Sequence, residues 1–229
     1  MTEKEDSENN KFIILKIDGK NRLLTKSFAP GIKVYNERTS HVKGHNYRVW
    51  DPFHSKLAAA IIKGLKNFPI KGGTRILYLG ASTGTTVSHL SDIVGDKGVV
   101  FGVEMAPRVA REFVEKVAKH RKNVIPIIAD ARKPNKYHSI FGNIDLVYCD
   151  IAQPDQTQIA ITNCQTYLPE GGKLLLTIKS RSIDVSRDPK TIFIEEAKRL
   201  ESSRFKVIQT LYLEPFDKDH AMISAVFLK

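Results

Sequence analysis

A glycine-rich turn directly follows an apolar run in the stretch Arg75-Ile76-Leu77-Tyr78-Leu79-Gly80-Ala81-Ser82-Thr83-Gly84-Thr85-Thr86. Three later apolar runs each end in an acidic residue, and these residues are Glu104, Asp130 and Asp150. Ligands of a parallel sheet bind outside the carboxyl ends of its strands, where a glycine turn lets the backbone approach them closely. An acid at the end of the second strand is suited to accept hydrogen bonds from ribose hydroxyls. The pattern therefore predicts a nucleoside at the edge of a parallel sheet.

Strand and helix patterns alternate along the chain from residue 74 onward. Apolar, β-branched runs occur at 75–79, 98–103, 123–128, 144–149, 172–178, 205–213 and 221–228, and helical patterns at about 84–94, 106–120, 155–167 and 189–203. This alternation predicts an α/β fold with a parallel sheet covered on both faces. The link between the last two runs is too short for a crossover helix, so the last strand is expected to be antiparallel to its neighbour. A seven-stranded sheet with this ending is typical of the Rossmann-like class I S-adenosylmethionine-dependent methyltransferases.

The residues before the sheet predict smaller units. Residues 1–10 are acidic and polar and are expected to form a disordered tail. Residues 11–50 are expected to form a small N-terminal β domain, and residues 51–229 the larger domain. Extended segments in the small domain are expected at 12–17, 22–25 and 33–35, with a hairpin turn at Asp18-Gly19. A helix is expected from about Pro52 to Asn67, capped by Asp51.

Positive charge is concentrated in two parts of the sequence. The formal net charge is +11, and residues 11–66 hold twelve Lys and Arg against three acids, while residues 108–136 hold nine against three. A surface that binds a polyanion concentrates one sign of charge in this way, which favours contact with nucleic acid. A set of solvated lysines on helix faces is the alternative interpretation. No aromatic platform for stacking single-stranded bases is evident in the sequence.

Other features exclude several classes of protein. No apolar stretch approaches the roughly 20 residues that span a bilayer, so no membrane association is expected. Cys149 and Cys164 show no metal or redox spacing, no metal site is expected, and buried thiols suit a cytoplasmic location.

The glycine turn distinguishes between nucleotide ligands. A dinucleotide fingerprint requires a second glycine where this chain has Ser82, and no Gly-Lys-[Ser/Thr] closes the turn as in a P-loop. S-adenosylmethionine has no phosphates and needs close backbone approach together with polar groups. Glu104 is placed for its ribose, Asp130 for its adenine and Asp150 for the sulfonium side. The cofactor predicted is therefore S-adenosyl-L-methionine.

Four polar residues are expected to meet at the same edge of the sheet. Lys179 directly follows the fifth apolar run, and Asp150 follows the fourth. His220 opens the last strand, whose antiparallel direction brings its beginning to that edge. Lys56, on the helix before the first strand, can complete the group. A lysine can act as a general base when burial or a neighbouring cation favours its neutral form, so the group predicts catalysis with Lys179 as the base.

Five motifs of the chain resemble the fibrillarin family. They are RVWDPFHSKLAAA (48–60), YLGASTGTT (78–86), DIAQPDQ (150–156), KSRSID (179–184) and EPFDKDH (214–220). The chain lacks the Gly/Arg-rich N-terminal region of eukaryotic members, so it resembles the archaeal fibrillarin-like form. The resemblance implies an RNA 2′-O-methyltransferase that acts on rRNA and tRNA, directed by C/D box guide RNA within a ribonucleoprotein. Expected partners are a Nop-family scaffold protein and, through that scaffold, a ribosomal-type protein bound to the guide's kink-turn.

The resemblance also implies site residues. The family's Lys-Asp-Lys-His tetrad falls on Lys56, Asp150, Lys179 and His220. Together with the turn residues, the expected cofactor contacts are Gly80, Ala81, Thr85, Thr86, Glu104, Met105, Asp130, Ala131, Asp150, Ile151, Ala152 and Gln153. Two other functions stay open, namely a stand-alone methyltransferase that recognises its own RNA and a non-catalytic RNA-binding subunit of the same fold. The histidine at position 220 argues against the first, because stand-alone enzymes of similar fold typically carry glutamate there. The four intact polar residues argue against the second.

Overall fold

The computed structural model describes residues 12–17, 19–137 and 139–228. The predicted disordered tail at 1–10 lies outside the described residues, as does Asp18 of the predicted hairpin turn. The described residues form a small sheet and a larger one, and none of their helices is long and apolar enough to cross a membrane.

The small sheet is antiparallel and contains four strands in the order β1-β2-β4-β3. Its strands are β1 (Phe12–Ile17), β2 (Lys20–Lys26), β3 (Thr39–Val42) and β4 (His45–Val49). The sequence predicted the first two strands, but the strand expected at 33–35 was wrong. There the N–H groups of Val34 and Tyr35 donate to the carboxylate of Glu37, so they are satisfied by a side chain instead of a neighbouring strand. The polar hairpin β3–β4, which turns through Lys43 and Gly44 at positive φ, was missed.

The large sheet has seven strands in the order β10-β11-β9-β8-β5-β6-β7. They are β5 (Arg75–Leu79), β6 (Val99–Glu104), β7 (Val124–Ile128), β8 (Leu146–Cys149), β9 (Lys173–Lys179), β10 (Phe205–Tyr212) and β11 (His220–Phe227). Strands β5 to β9 are parallel, whereas β11 is antiparallel to both of its neighbours. The predicted sheet with its antiparallel last strand is confirmed. The carboxyl ends of β5, β6, β8 and β9 and the beginning of β11 therefore share one edge, which we call the carboxyl edge.

Six α-helices accompany the two sheets in the described residues. They are α1 (Lys56–Ile62), α2 (Thr85–Val94), α3 (Pro107–Lys116), α4 (Gln156–Tyr167), α5 (Ser180–Ile183) and α6 (Pro189–Glu201). The prediction that α1 begins at Pro52 under an Asp51 cap was wrong. Ser55 caps the helix by accepting from the N–H of Ala58, while the Asp51 carboxylate accepts from the N–H of Phe53 in the preceding turn. Gly64, at φ +91°, follows the end of the helix, which is why it stops short of Asn67.

Buried apolar side chains form a layer on each face of the large sheet. Leu77 and Leu79 belong to one cluster and Ile76 and Tyr78 to the other, because alternate residues of a strand point to opposite faces. Helices α4 and α6 cover the first face, and helices α1, α2 and α3 cover the second. The small sheet also packs on the second face. Leu23 of β2 and Trp50, which directly follows β4, belong to the apolar cluster there. Both cysteines are buried in the first cluster as free thiols.

Candidate active site

The glycine turn between β5 and α2 is fixed by contacts that exclude side chains. Gly80 has φ +82°, and a Cβ there would collide with the backbone oxygen of Asp150. Gly84 has φ +91° and caps α2, and a Cβ there would lie 2.5 Å from Val117 Cγ2 and 2.7 Å from Phe113 Cδ2. Glycine is therefore required at both positions, for close approach to the β8 loop and for packing against α3.

A cleft of about 520 Å³ opens at the carboxyl edge beside this turn. Nine of the twelve predicted cofactor residues line it, and these are Gly80, Glu104, Met105, Asp130, Ala131, Asp150, Ile151, Ala152 and Gln153. Ala81, Thr85 and Thr86 do not line the cleft. Ala81 is buried, and the Thr86 hydroxyl is hydrogen-bonded to Ser55 Oγ at 2.9 Å. The structure thus brings most of the predicted set together, and the cofactor-binding role of all twelve stays a prediction.

Glu104 is held in a defined orientation by two backbone groups. Its Oε2 accepts from the N–H of Ser82 at 2.9 Å, and its Oε1 accepts from the N–H of Ala106 at 2.9 Å. Each carboxylate oxygen has a second acceptor site, so Glu104 can still accept hydrogen bonds from a ligand in the cleft.

Arg132 joins the two loops that flank the cleft. Its guanidinium donates to both carboxylate oxygens of Asp155, at 2.9 and 3.1 Å, and to Gln153 Oε1 at 3.1 Å. A bidentate pair of this kind fixes geometry as well as charge. Sequence analysis missed Arg132, which had been counted only as part of a basic segment.

An ionic network lies at one end of the cleft, beside Asp150. We call it the edge cluster, and it consists of Lys56, Asp150, Lys179, Asp217 and His220. Lys56 Nζ lies 3.1 and 3.2 Å from the two carboxylate oxygens of Asp150. It also lies 3.8 Å from Asp217 Oδ2, and Asp217 Oδ1 lies 2.8 Å from His220 Nδ1. Three of the four predicted catalytic residues are therefore linked through direct contacts, with Asp217 as the carboxylate between Lys56 and His220.

Lys179 enters the same cluster from β9. It is paired with His220 in the register of β9 and β11. Its backbone is fixed by the buried side chain of Gln156, which accepts from the Lys179 N–H at 2.9 Å and donates to the Lys179 carbonyl at 3.3 Å. In the described part of the chain, no carboxylate oxygen lies within 4.0 Å of the Lys179 ammonium. Lys179 is therefore the cation of the cluster that has no direct ion pair.

The surroundings of His220 define which ring nitrogen carries a proton. Nδ1 faces two acceptors, the Lys218 carbonyl oxygen at 2.7 Å and Asp217 Oδ1 at 2.8 Å. A nitrogen that faces only acceptors is a donor, so Nδ1 carries the proton. In the neutral ring Nε2 is then the acceptor, and Asp217 orients the ring.

Asp217 remains ionised in spite of its partial burial. Burial opposes ionisation, but the hydrogen bond from His220 and the charges of His220, Lys56 and Lys179 outweigh it and hold the pKa of Asp217 below its ordinary value. Sequence analysis missed Asp217 although it lies within the quoted 214–220 motif. The available signal was its spacing of three residues before His220. This spacing indicates a contact between the two side chains only when the shape of the turn before β11 is known.

The strand order, the glycine turn and the acids at the carboxyl edge define a protein with the fold of the class I methyltransferases. The family model described as Fibrillarin matches residues 2–229. The chain belongs to the fibrillarin family.

Individual relatives cover nearly the whole chain. It is 52% identical over 210 residues to the fibrillarin-like rRNA/tRNA 2′-O-methyltransferase of Sulfurisphaera tokodaii, covering 92% of this chain and 90% of that one. The structure of Aeropyrum pernix fibrillarin with natively bound S-adenosyl-L-methionine matches with a TM-score of 0.90 at 42% identity, covering 99% and 98% of the two chains. A fibrillarin/Nop5p complex matches with a TM-score of 0.83 at 39% identity, covering 94% and 97%.

Proposed function

We propose that this protein transfers a methyl group from S-adenosyl-L-methionine to ribose 2′-hydroxyls of rRNA and tRNA. Family membership supports the reaction class, and the relative from Sulfurisphaera tokodaii carries this activity in its name. The single observation that carries the proposal is the double position of Asp150, which lines the cleft and also binds Lys56 in the edge cluster. A cofactor site and a group of proton-transfer residues therefore share one carboxylate.

The cleft fits S-adenosylmethionine by the chemistry of its lining. Gly80 lets the turn after β5 lie against the backbone of Asp150, and Glu104 and Asp130 offer carboxylate oxygens to ribose hydroxyls and to the adenine amine. Met105 and Ile151 supply apolar surface. The related Aeropyrum pernix protein holds this cofactor in its structure. When bound, the cofactor supplies a methyl group activated by a positively charged sulfur.

The edge cluster provides what a sugar hydroxyl needs in order to become a nucleophile. A hydroxyl is a weak nucleophile until its proton leaves, and the neutral amine of Lys179 is the proposed acceptor of that proton. Among the described residues, no carboxylate pairs directly with Lys179, so no ion pair has to be broken for its amine to become neutral. Lys56 is held by Asp150 and Asp217, so we assign it to positioning the acceptor oxygen. His220, oriented by Asp217, presents Nε2 as a second proton acceptor at the same edge.

We further propose that the protein acts as the catalytic subunit of a ribonucleoprotein directed by C/D box guide RNA, in the cytoplasm. The fibrillarin/Nop5p complex supports a Nop-family scaffold protein as the direct partner, and the kink-turn-binding protein would be reached through that scaffold. The positive charge at 11–66 and 108–136 supports RNA contact, with a correction to the sequence analysis. Arg48 and Arg121 are buried and paired with carboxylates, so they do not contribute to a phosphate-binding surface.

Methyl incorporation tests the proposed function. The complete chain is assembled with a guide RNA and scaffold protein and supplied with cofactor labelled in the methyl group. Incorporation is expected at the single nucleotide that the guide specifies. A target with a 2′-deoxy nucleotide at that position is the matched control, and it should accept no label. Equal labelling without guide and scaffold would instead support the stand-alone enzyme, and cofactor binding without any labelling would support the non-catalytic subunit.

A further inference from the structure

Two phenylalanine rings form an exposed pair beside the edge cluster. The centroids of Phe53 and Phe216 lie 5.2 Å apart, and their planes meet at 70°. Phe53 is 66% exposed, which makes it the second most exposed large apolar residue among those described. Phe216 is partly buried and packs against the apolar side chains of the second face. Phe216 thus supports one side of Phe53, and most of the Phe53 ring meets solvent.

The chain places this pair next to the proposed reaction centre. Phe53 lies one turn before Lys56, and Phe216 directly precedes Asp217. Lys56 and Asp217 are themselves within 3.8 Å of each other. Because consecutive Cα atoms lie about 3.8 Å apart, the backbone of each phenylalanine lies close to that of a residue that we place in the edge cluster.

The backbone of both phenylalanines is held in place by local hydrogen bonds. The N–H of Phe53 donates to Asp51 Oδ1 at 2.9 Å, and the N–H of Phe216 donates to the Leu213 carbonyl at 2.9 Å. The edge-on packing of the rings restrains them further. An aromatic surface fixed in this way loses little conformational freedom when a ligand stacks on it.

We propose that Phe53, supported by Phe216, is the surface on which a base of the target RNA stacks, either the base of the methylated nucleotide or that of its immediate neighbour. The proposal rests on the proposed function, since it places the base of the nucleotide whose ribose reaches the edge cluster. Stacking tolerates every base because each has a π face, which suits an enzyme whose target sequence is selected by guide pairing. Sequence analysis found no aromatic platform because the two phenylalanines lie far apart in the chain.

The charges around the pair are mixed. Lys218 is exposed on the same loop as Phe216, but Asp217 and Asp219 flank it in the chain, and His54 Nδ1, next to Phe53, lies 3.4 Å from the carboxylate of Asp51. RNA is therefore favoured over an apolar protein segment by position, because the two phenylalanines lie beside the edge cluster, where the acceptor ribose is proposed to bind.

The test uses the assembled complex with its guide RNA and measures kcat/KM for the target. Phe53→Ala is expected to lower kcat/KM roughly 5- to 150-fold, the range found for loss of one base–aromatic contact. Phe53→Tyr should stay close to the wild type, and Phe53→Leu, which keeps apolar area without a π face, should fall between them. Affinity for the cofactor alone should be unchanged in all three variants.

Phe141→Ala is the matched control. Phe141 is 58% exposed and packs edge-on against Phe101, with centroids 5.4 Å apart and planes at 80°. It lies near Arg75, at the start of β5 and hence at the opposite edge of the sheet. This variant should therefore keep the wild-type kcat/KM.

Targets with one abasic nucleotide, at the methylated position or at either neighbour, separate stacking from other roles of Phe53. For one of these targets the wild type and Phe53→Ala should have the same kcat/KM, because the base that stacks is gone.

The proposal is overturned if Phe53→Ala equals the wild type on the intact target, or if its defect persists with all three abasic targets. It is also overturned if Phe53→Ala only weakens scaffold binding and recovers full activity at saturating scaffold, since Phe53 would then contact protein. A wild-type complex that methylates no RNA would refute the proposed function itself.

Discussion

Two ionic clusters in this molecule use similar side chains in opposite environments. The edge cluster surrounds the proposed reaction centre, and its Lys56, Asp150, Asp217 and His220 side chains are 10–33% exposed. The second, which we call the buried cluster, consists of Glu37, Arg48, Asp92 and Arg121, whose side chains are at most 1% exposed. It joins β4 of the small sheet to α2, which packs on the large sheet.

The two clusters differ in how much hydrogen-bonding capacity remains. Asp92 accepts from four donors, at 2.6 to 2.8 Å, and they are Thr25 Oγ1, the Phe28 N–H, Arg48 and Arg121. Nothing is left on this carboxylate for a ligand. The edge cluster, in contrast, contains the Lys179 ammonium, which has no direct ion pair with any described residue, and the His220 Nε2, to which no described residue is hydrogen-bonded. The charges of the buried cluster stabilise the fold, whereas those of the edge cluster are available for chemistry.

The histidines that contact Asp92 and Asp217 show the same contrast. His89 contacts Asp92 and is fully buried, and burial together with the charges of Arg48 and Arg121 holds its pKa well below the ordinary value. Its ring is therefore neutral, with Thr25 and Tyr35 hydroxyls at its two nitrogens. His220 is 10% exposed, and none of the described residues is hydrogen-bonded to its Nε2.

Removal of the central carboxylate of the buried cluster should produce the largest loss of stability. Asp92→Ala leaves Arg121 without its carboxylate partner in the interior and leaves Arg48 with Glu37 alone, and the free energy of unfolding should fall by about 3–5 kcal/mol. Urea denaturation measures the loss. Asp96→Ala, at an exposed position one turn further along, is the control and should change stability by less than about 0.5 kcal/mol. A loss below about 1 kcal/mol for Asp92→Ala would contradict the structural role of this cluster.

The buried cluster should also make stability depend on pH. Burial alone would raise the pKa of Glu37, but the charge of Arg48 and hydrogen bonds from backbone N–H groups outweigh it and hold that pKa below its ordinary value. A carboxyl whose pKa is lower in the folded state stabilises the fold fully above the unfolded value of about 4.3. This contribution is lost as the pH falls through the folded value.

Unfolding measurements on Glu37→Gln and the wild type between pH 2 and pH 7 test this dependence. The difference in stability between them should be constant at neutral pH and shrink below about pH 4.3, where the wild-type carboxyl binds protons on unfolding. A difference that stays unchanged down to pH 2 would show that Glu37 is not held ionised by Arg48.

The smallest change in stability is expected for Asp217→Asn in the edge cluster. Asp217 is one-third exposed, and ion pairs at such positions contribute about 0–1 kcal/mol. Its role in orienting His220 should nevertheless lower kcat by about 10- to 100-fold, with little change in cofactor affinity. A kcat equal to that of the wild type would remove Asp217 from the site.

Sequence patterns predicted the large sheet well and the clusters only in part. The apolar runs of β5 to β9 and the short link between β10 and β11 fix the topology, because each strand must be buried on both faces and seven residues cannot carry a crossover helix. Topology alone then brings Lys179 and His220 together, since both lie at strand ends. The position of Glu104, Asp130 and Asp150 along the cleft could be predicted for the same reason.

What sequence patterns missed depends on the shapes of loops. Asp217 becomes a bridge between Lys56 and His220 only because the turn before β11 folds back, and Arg132 reaches Asp155 across two loops. Arg48 and Arg121 look like other basic residues in a basic segment, and only burial shows that they belong to the interior. The start of α1 was misplaced because Asp51 and Ser55 are both good caps, and the local hydrogen bonds favour Ser55.

The most direct test of the account is methyl transfer by the assembled complex carrying Lys179→Ala or Lys179→Arg. Arginine keeps the positive charge but stays protonated, so it separates a base from a mere cation. Both variants should lose about 10²- to 10⁴-fold in the rate of methyl transfer while retaining wild-type unfolding and cofactor binding. Lys173→Ala, at the exposed opposite end of β9, should be fully active. Wild-type rates in Lys179→Ala, or full activity in Lys179→Arg, would contradict the assignment of Lys179 as the base of this reaction centre.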